Sequence, residues 1–111
     1  EGVLKNKISV NKFVEITSSK PAKIYGLYPK KGSILIGADA DLVVWDSNLK
    51  KIIKNQDLNH SVDYTPYENM EVNAWPNTVI SRGSIIVEEG KLKIKKGHGQ
   101  FLKSEISDYV Y

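Results

Sequence analysis

Cysteine is absent from the 111 residues, which removes disulfides and thiolate metal sites and fits a reducing compartment. Histidine is nearly absent, His60 and His98 being the whole supply. No apolar stretch approaches the roughly 18 residues that a membrane-spanning helix needs, and no signal-peptide pattern opens the chain. These absences predict a cytoplasmic protein with no membrane partner. Methionine occurs once, at Met70, and the first residue is Glu1. The chain is therefore expected to be a piece of a longer polypeptide, cut by processing or by choice of boundary. Two further absences remove whole reaction classes: there is no G-x-S-x-G elbow for a nucleophilic serine. Gly97-His98-Gly99 also lacks the lysine and helix context of a phosphate-binding loop.

With 41% hydrophobic and 26% charged residues, the composition is that of one ordinary folded unit, large enough to bury a core but near the small end. A net charge of +3 and a pI near 9.0 permit contact with nucleic acid. The lysines, however, are scattered among acids rather than gathered into a block, so the charge reads as solubility and no nucleic-acid partner is expected.

The first thirty residues carry a helical pattern. Ser9 suits the N-cap of a helix in which Val10, Phe13, Val14 and Thr17 form one stripe. Pro21 is expected to force Lys20 out of the helical region and to open a second short helix, Pro21 to Tyr25, which Gly26 ends in a left-handed conformation. From Gly32 the period becomes two: Ile34 and Ile36 alternate with Leu35, and Gly37 allows a bend. Leu42-Val43-Val44-Trp45 has the continuous apolar character of a strand covered on both faces. Asp46-Ser47-Asn48 turns the chain, and Lys50 to Lys54 suits a short strand. Residues 55–77 read as a long ordered loop, in which Tyr64 and Tyr67 around Pro66 bury their rings. Thr78 to Ser81, Ser84 to Glu88 and Lys91 to Ile94 form a meander whose turns, Arg82-Gly83 and Glu89-Gly90, place glycine where a tight hairpin wants positive φ.

Taken together, these segments resemble the C-terminal region of the dihydropyrimidinase and D-hydantoinase family of cyclic amidohydrolases. Pro21-Ala22-Lys23-Ile24-Tyr25-Gly26-Leu27-Tyr28-Pro29 is similar to the family's NPAKxFGLYP segment. Lys30-Lys31-Gly32-Ser33-Ile34 with Gly37-Ala38-Asp39-Ala40-Asp41-Leu42-Val43-Val44-Trp45-Asp46 resembles KGxIxxGxDADLVxWD, a signature shared across many amidohydrolases. Val62 to Glu68, Ser81-Arg82-Gly83, Val87-Glu88-Glu89-Gly90 and Gly97 to Leu102 match the hydantoinase branch more narrowly. Lys20, Asn69 and Gln100 depart from the pattern; Asn69 keeps a left-handed turn, whereas Gln100 in place of a common arginine weakens a tail ion pair.

The resemblance implies a mixed α+β piece: residues 1–30 as the terminal helical segment of a barrel region, 31–97 as the mainly antiparallel portion of a composite β-sandwich with the loop 55–77, and 98–111 as a C-terminal tail. It implies that the full-length parent hydrolyses the ring amide of dihydropyrimidines or hydantoins to N-carbamoyl amino acids. Two zinc or other divalent ions, bridged by a carboxylated lysine, would serve that reaction in a homotetramer. Such a centre needs four histidines and an aspartate besides the lysine, because each metal requires several ligands and an open position. His60 and His98 lie too far apart in sequence to present a ligand pair from one strand. No residue of the chain is therefore assigned a catalytic, cofactor-binding or metal-ligating role, and the piece alone is expected to be inactive, its cyclic amide substrate met only by the whole enzyme.

Asp39 and Asp41 are open to two readings, an acid or metal pair and a turn whose carboxylates receive backbone N–H groups; the turn reading is preferred. Lys91 to Lys96 reads as a solvated strand face. The partners implied are the remainder of the parent chain and further copies of it. Strands drawn from elsewhere in the parent would leave this piece with an open edge and an exposed Phe13–Val14 stripe, so a dimer or strand-exchanged oligomer is expected. The alternatives are a non-catalytic dihydropyrimidinase-related scaffold protein, an allantoinase or dihydroorotase, and a basic binding module.

Overall fold

Ser9 starts the first helix with extended backbone (φ −72°, ψ 161°) and a side chain that accepts the N–H of Lys12 at 3.1 Å. That bond satisfies one of the donors a helix start leaves open. The computed structural model, which describes residues 2–107 and 109, continues from there through α1 (Val10–Val14), a π-helical turn (Glu15–Ser19) and α2 (Lys20–Ile24). Lys20 departs from expectation: it stays right-handed helical (φ −66°, ψ −49°), and its N–H reaches back to the Glu15 carbonyl. The widened turn explains this, since an α-helical turn would press the Pro21 ring onto the carbonyl four residues back. Gly26, at φ 65°, then ends the helical run as expected.

Four strands form one antiparallel sheet in the order β1 (Leu42–Asp46), β4 (Trp75–Ser81), β5 (Ser84–Glu88) and β6 (Lys91–Leu92). A separate antiparallel ribbon pairs β2 (Lys51–Ile52) with β3 (Glu71–Val72). The two tight turns are as the sequence predicts: Arg82 and Gly83 have φ 45° and 78°, Glu89 and Gly90 φ 50° and 74°. Two positive φ values in succession are the geometry that matches the twist of a hairpin. Between Val44 and Trp45 the β1 register skips Asn77 on β4, and Pro76 sits beside this bulge, opposite Trp45. A proline is tolerated there because β5 pairs only with Thr78 onward. The turn after β1 closes through the Asn48 N–H donating to Asp46 Oδ1 at 2.8 Å.

Several expectations are corrected. Ile34 to Ile36 form no strand; Ile34 is 86% and Ile36 109% exposed, because no described segment offers them a ladder partner. The β1 run is a strand but is not covered on both faces, since Val43, Val44 and Trp45 are each exposed. Residues 55–77 are not loop throughout: a 3-10 turn (Asn55–Asp57), β3 and the first residues of β4 lie within them. Tyr64 and Tyr67 do not bury their rings. The last strand stops at Leu92 rather than Ile94. Of the helical stripe, Val10 and Val14 face solvent, Phe13 meets Trp45 edge-to-face with centroids 6.0 Å apart, and the Thr17 hydroxyl donates to the Phe13 carbonyl at 2.7 Å.

The interior is correspondingly thin. Ala22 is the one buried apolar residue among those described, and Gly32 packs so closely on it that a Cβ there would stand 2.6 Å from the Ala22 Cβ. The accessible surface is 9011 Å², against roughly 6,200 Å² for a folded monomer of this mass. The radius of gyration is 15.9 Å, where about 13 Å is usual for this length. Local rules have shaped the elements without giving them a shared core.

Candidate functional site

The segment 37–41 carries the acidic pair that the sequence left open between two readings. Asp39 N–H donates to the Lys30 carbonyl at 2.9 Å and Asp41 N–H to the Asp39 carbonyl at 2.8 Å, so the backbone folds back before β1 begins. This fold brings Lys31 between the carboxylates. Its Nζ lies 2.8 Å from Asp39 Oδ2 and also pairs with Asp41 Oδ2. The second oxygen of Asp41 accepts the Arg82 N–H at 2.8 Å, and Gly83 N–H donates to the Ala40 carbonyl at 3.0 Å. Arg82 in turn donates from Nη2 to the His98 carbonyl. Lys31, Asp41 and Arg82 thereby join the start of β1, the β4–β5 turn and the tail.

The electrostatics follow from that geometry. Burial pulls the Lys31 ammonium down, but the hydrogen bonds and charges of Asp39 and Asp41 outweigh it, and the net pKa is raised. For Asp41, burial pushes upward while the Lys31 and Arg82 hydrogen bonds pull harder downward, so its carboxyl lies below the ordinary range. The turn reading holds for Asp41, whose carboxylate accepts the Arg82 N–H; Asp39 departs from it, its carboxylate pairing with the Lys31 ammonium instead. A cation of the protein's own already stands between the two carboxylates.

The two histidines are not brought into a common cluster. His60 is exposed within a bent segment, whereas His98 is half-buried, its Nε2 enclosed without a hydrogen-bond partner. Among the described residues no group of three or more His, Asp or Glu side chains is arranged to hold a metal. Sequence reasoning missed Lys31 and Arg82: the first pairs across ten residues and the second through its backbone, neither of which leaves a spacing signal. No helix of the described residues is long and apolar enough to cross a membrane.

The amidohydrolase family model matches residues 3–86. The chain is 44% identical over 103 residues to a D-hydantoinase of Geobacillus stearothermophilus, covering 93% of this chain and 22% of that protein. It is 37% identical over 112 residues to a dihydropyrimidinase of Rattus norvegicus, covering 100% of this chain and 22% of the relative. A crystal structure of a D-hydantoinase superposes with a TM-score of 0.89 at 42% identity, over 94% of this chain and 23% of that one. The chain thus spans about one fifth of the length of the relatives it matches.

Proposed function

We propose, from the premise that this chain belongs to the amidohydrolase family, that it is the structural and oligomerisation portion of a cyclic amide hydrolase. The intact enzyme would open the ring amide of a dihydropyrimidine or hydantoin in the cytoplasm. Its products would be N-carbamoyl amino acids, water adding at the ring carbonyl as the carbon–nitrogen bond breaks and the nitrogen takes a proton. In this reading the β-strands belong to a composite sandwich, and the metal ligands reside in polypeptide outside these residues.

The observation that carries the reading is the mismatch between well-formed elements and a nearly absent core. A capped first helix and well-formed hairpins that, among the described apolar residues, bury only Ala22 have apolar faces suited to packing against further protein. The Lys31, Asp41 and Arg82 junction keeps those faces in fixed relation, which is a scaffold's task rather than a catalyst's.

The test is a graft. A D-hydantoinase carrying this chain in place of its own matching segment should assemble and open hydantoin or dihydrouracil at a rate within about tenfold of the parent. A graft that folds but neither assembles nor turns over would refute the structural role. Ring opening by the 111-residue chain alone, with zinc bound in stoichiometric amount, would refute the assignment of chemistry to the rest of the enzyme.

A further inference from the structure

We infer that the π-helical turn Glu15–Ser19 is a phase corrector: it absorbs one residue of the helical run, so that Phe13 before it and Ala22 after it dock on the same part of the β-structure. An α-helix turns about 100° per residue. Two residues nine apart, as Phe13 and Ala22 are, would therefore project from opposite sides of an unbroken α-helix. A π-helical turn closes its hydrogen bond over five residues instead of four, and the Lys20 N–H bonds the Glu15 carbonyl in that way. One residue's rotation, about 100°, is thereby taken out, and the two side chains come within about a quarter of a turn of each other.

Both side chains use that alignment. Phe13 meets the Trp45 ring edge-to-face at 6.0 Å. A Cβ at Gly32 would stand 2.6 Å from the Ala22 Cβ and 3.0 Å from both the Ser18 carbonyl oxygen and the Ser19 Cα, so Gly32 also lies against the widened turn itself. The two contact points belong to one unit. Trp45 lies in β1, and Lys31, the neighbour of Gly32, pairs with Asp41 immediately before that strand.

Pro21 does not account for the turn by itself. A proline at the start of a fresh helix is tolerated when the chain simply breaks ahead of it, and α2 carries Pro21 in its first turn. A break would relieve the ring equally well; the unbroken, widened run in addition ties the Phe13 contact to the Ala22 contact. Every group concerned lies within the described residues, so the device holds whether or not the hydrolase reading does.

Crystal structures of variants of the full-length protein that carries these residues test the inference. Pro21→Ala alone should keep the π turn, with Lys20 still bonded to Glu15, because the two contacts rather than the ring hold it. Deleting Ile16, an exposed residue, brings Lys20 to four residues from Glu15, so the same N–H and carbonyl form an ordinary α-helical bond. That deletion combined with Pro21→Ala should give a continuous α-helix that keeps both the Phe13–Trp45 and the Ala22–Gly32 contacts, with a folding equilibrium constant within about tenfold of the parent's. Deleting Thr17 as well removes one step too many; it should separate one contact and lower that constant at least about tenfold further. A turn straightened by Pro21→Ala alone, loss of either contact or of folding in the singly shortened variant, or a doubly shortened variant as stable as the singly shortened one would each overturn the inference.

Discussion

Asp41 Oδ1 accepts the backbone N–H of Arg82 at 2.8 Å, although the two residues lie 41 apart in sequence. The same carboxylate holds Lys31 with its other oxygen. A single side chain thereby fixes where β1 begins relative to the β4–β5 turn, in a protein with little buried apolar surface to do so. Asp41→Asn keeps the size but loses the charge, and is expected to cost about 1 kcal/mol, a value discounted for the partial exposure of the site. Chemical denaturation of the two proteins side by side measures it.

The pH dependence of the same junction has a definite sign. Asp41 titrates below its ordinary 3.8 in the folded chain, so its contribution is present above that pH and is lost as pH falls through the folded value. Lys31 titrates above its ordinary 10.5, so its contribution is complete below that pH and is lost as pH rises through the folded value. The denaturation midpoint should vary little between about pH 5 and pH 9 from this source. Asp41→Asn should flatten the acid limb, and Lys31→Met the alkaline one.

Two glycines of similar φ should respond differently to alanine. At Gly26 (φ 65°) a Cβ would meet the Glu105 carbonyl oxygen at 1.9 Å, whereas at Gly83 (φ 78°) it would meet nothing within 4 Å. Gly83→Ala then costs about 1 kcal/mol of left-handed strain. Gly26→Ala adds a backbone collision and should release the tail, seen as rapid hydrogen exchange at the Glu105 amide, which donates to the Gly26 carbonyl at 2.9 Å.

Removal of the Phe13 ring takes away the edge-to-face partner of Trp45. Because Phe13 is only half-buried and Trp45 is exposed, Phe13→Ala should cost about 1–2 kcal/mol rather than the 3–5 kcal/mol of a fully buried phenylalanine. The Trp45 emission should also shift to the red, read in a Trp75→Phe background.

Ser9→Ala deletes the acceptor of the Lys12 N–H. The expected loss is about 0.5–2 kcal/mol, with reduced helical ellipticity and no change in the sheet signal.

How much of this was legible beforehand depended on the range of the interaction. Arg82-Gly83 and Glu89-Gly90 announced their hairpins because positive φ is a local demand, met by residue type. Ser9 announced its helix for the same reason. The reading of Lys20 failed because the preference before proline is a bias that a widened helical turn accommodates. Ile34 to Ile36 show the period of a strand, but period does not supply a neighbour to pair with. The bulge at Asn77 and the capture of Asp41 by Lys31 and Arg82 depend on segments meeting in space, and no spacing rule encodes them. The family signature locates the acidic pair; its use as a clasp around a lysine exists only in the folded chain.

The Ser107 hydroxyl donates to the Lys23 carbonyl at 2.9 Å across 84 residues. Closing so long a loop in an unfolded chain costs about 4 kcal/mol of entropy in the simplest scaling, against about 1 kcal/mol from each of two hydrogen bonds, this one and the Glu105 N–H to the Gly26 carbonyl. The tail therefore docks only after the intervening hairpins have shortened the path. Each hairpin formed between residues 26 and 103 lowers that closure cost, so the order of residues 103–107 depends on the order of the sheet.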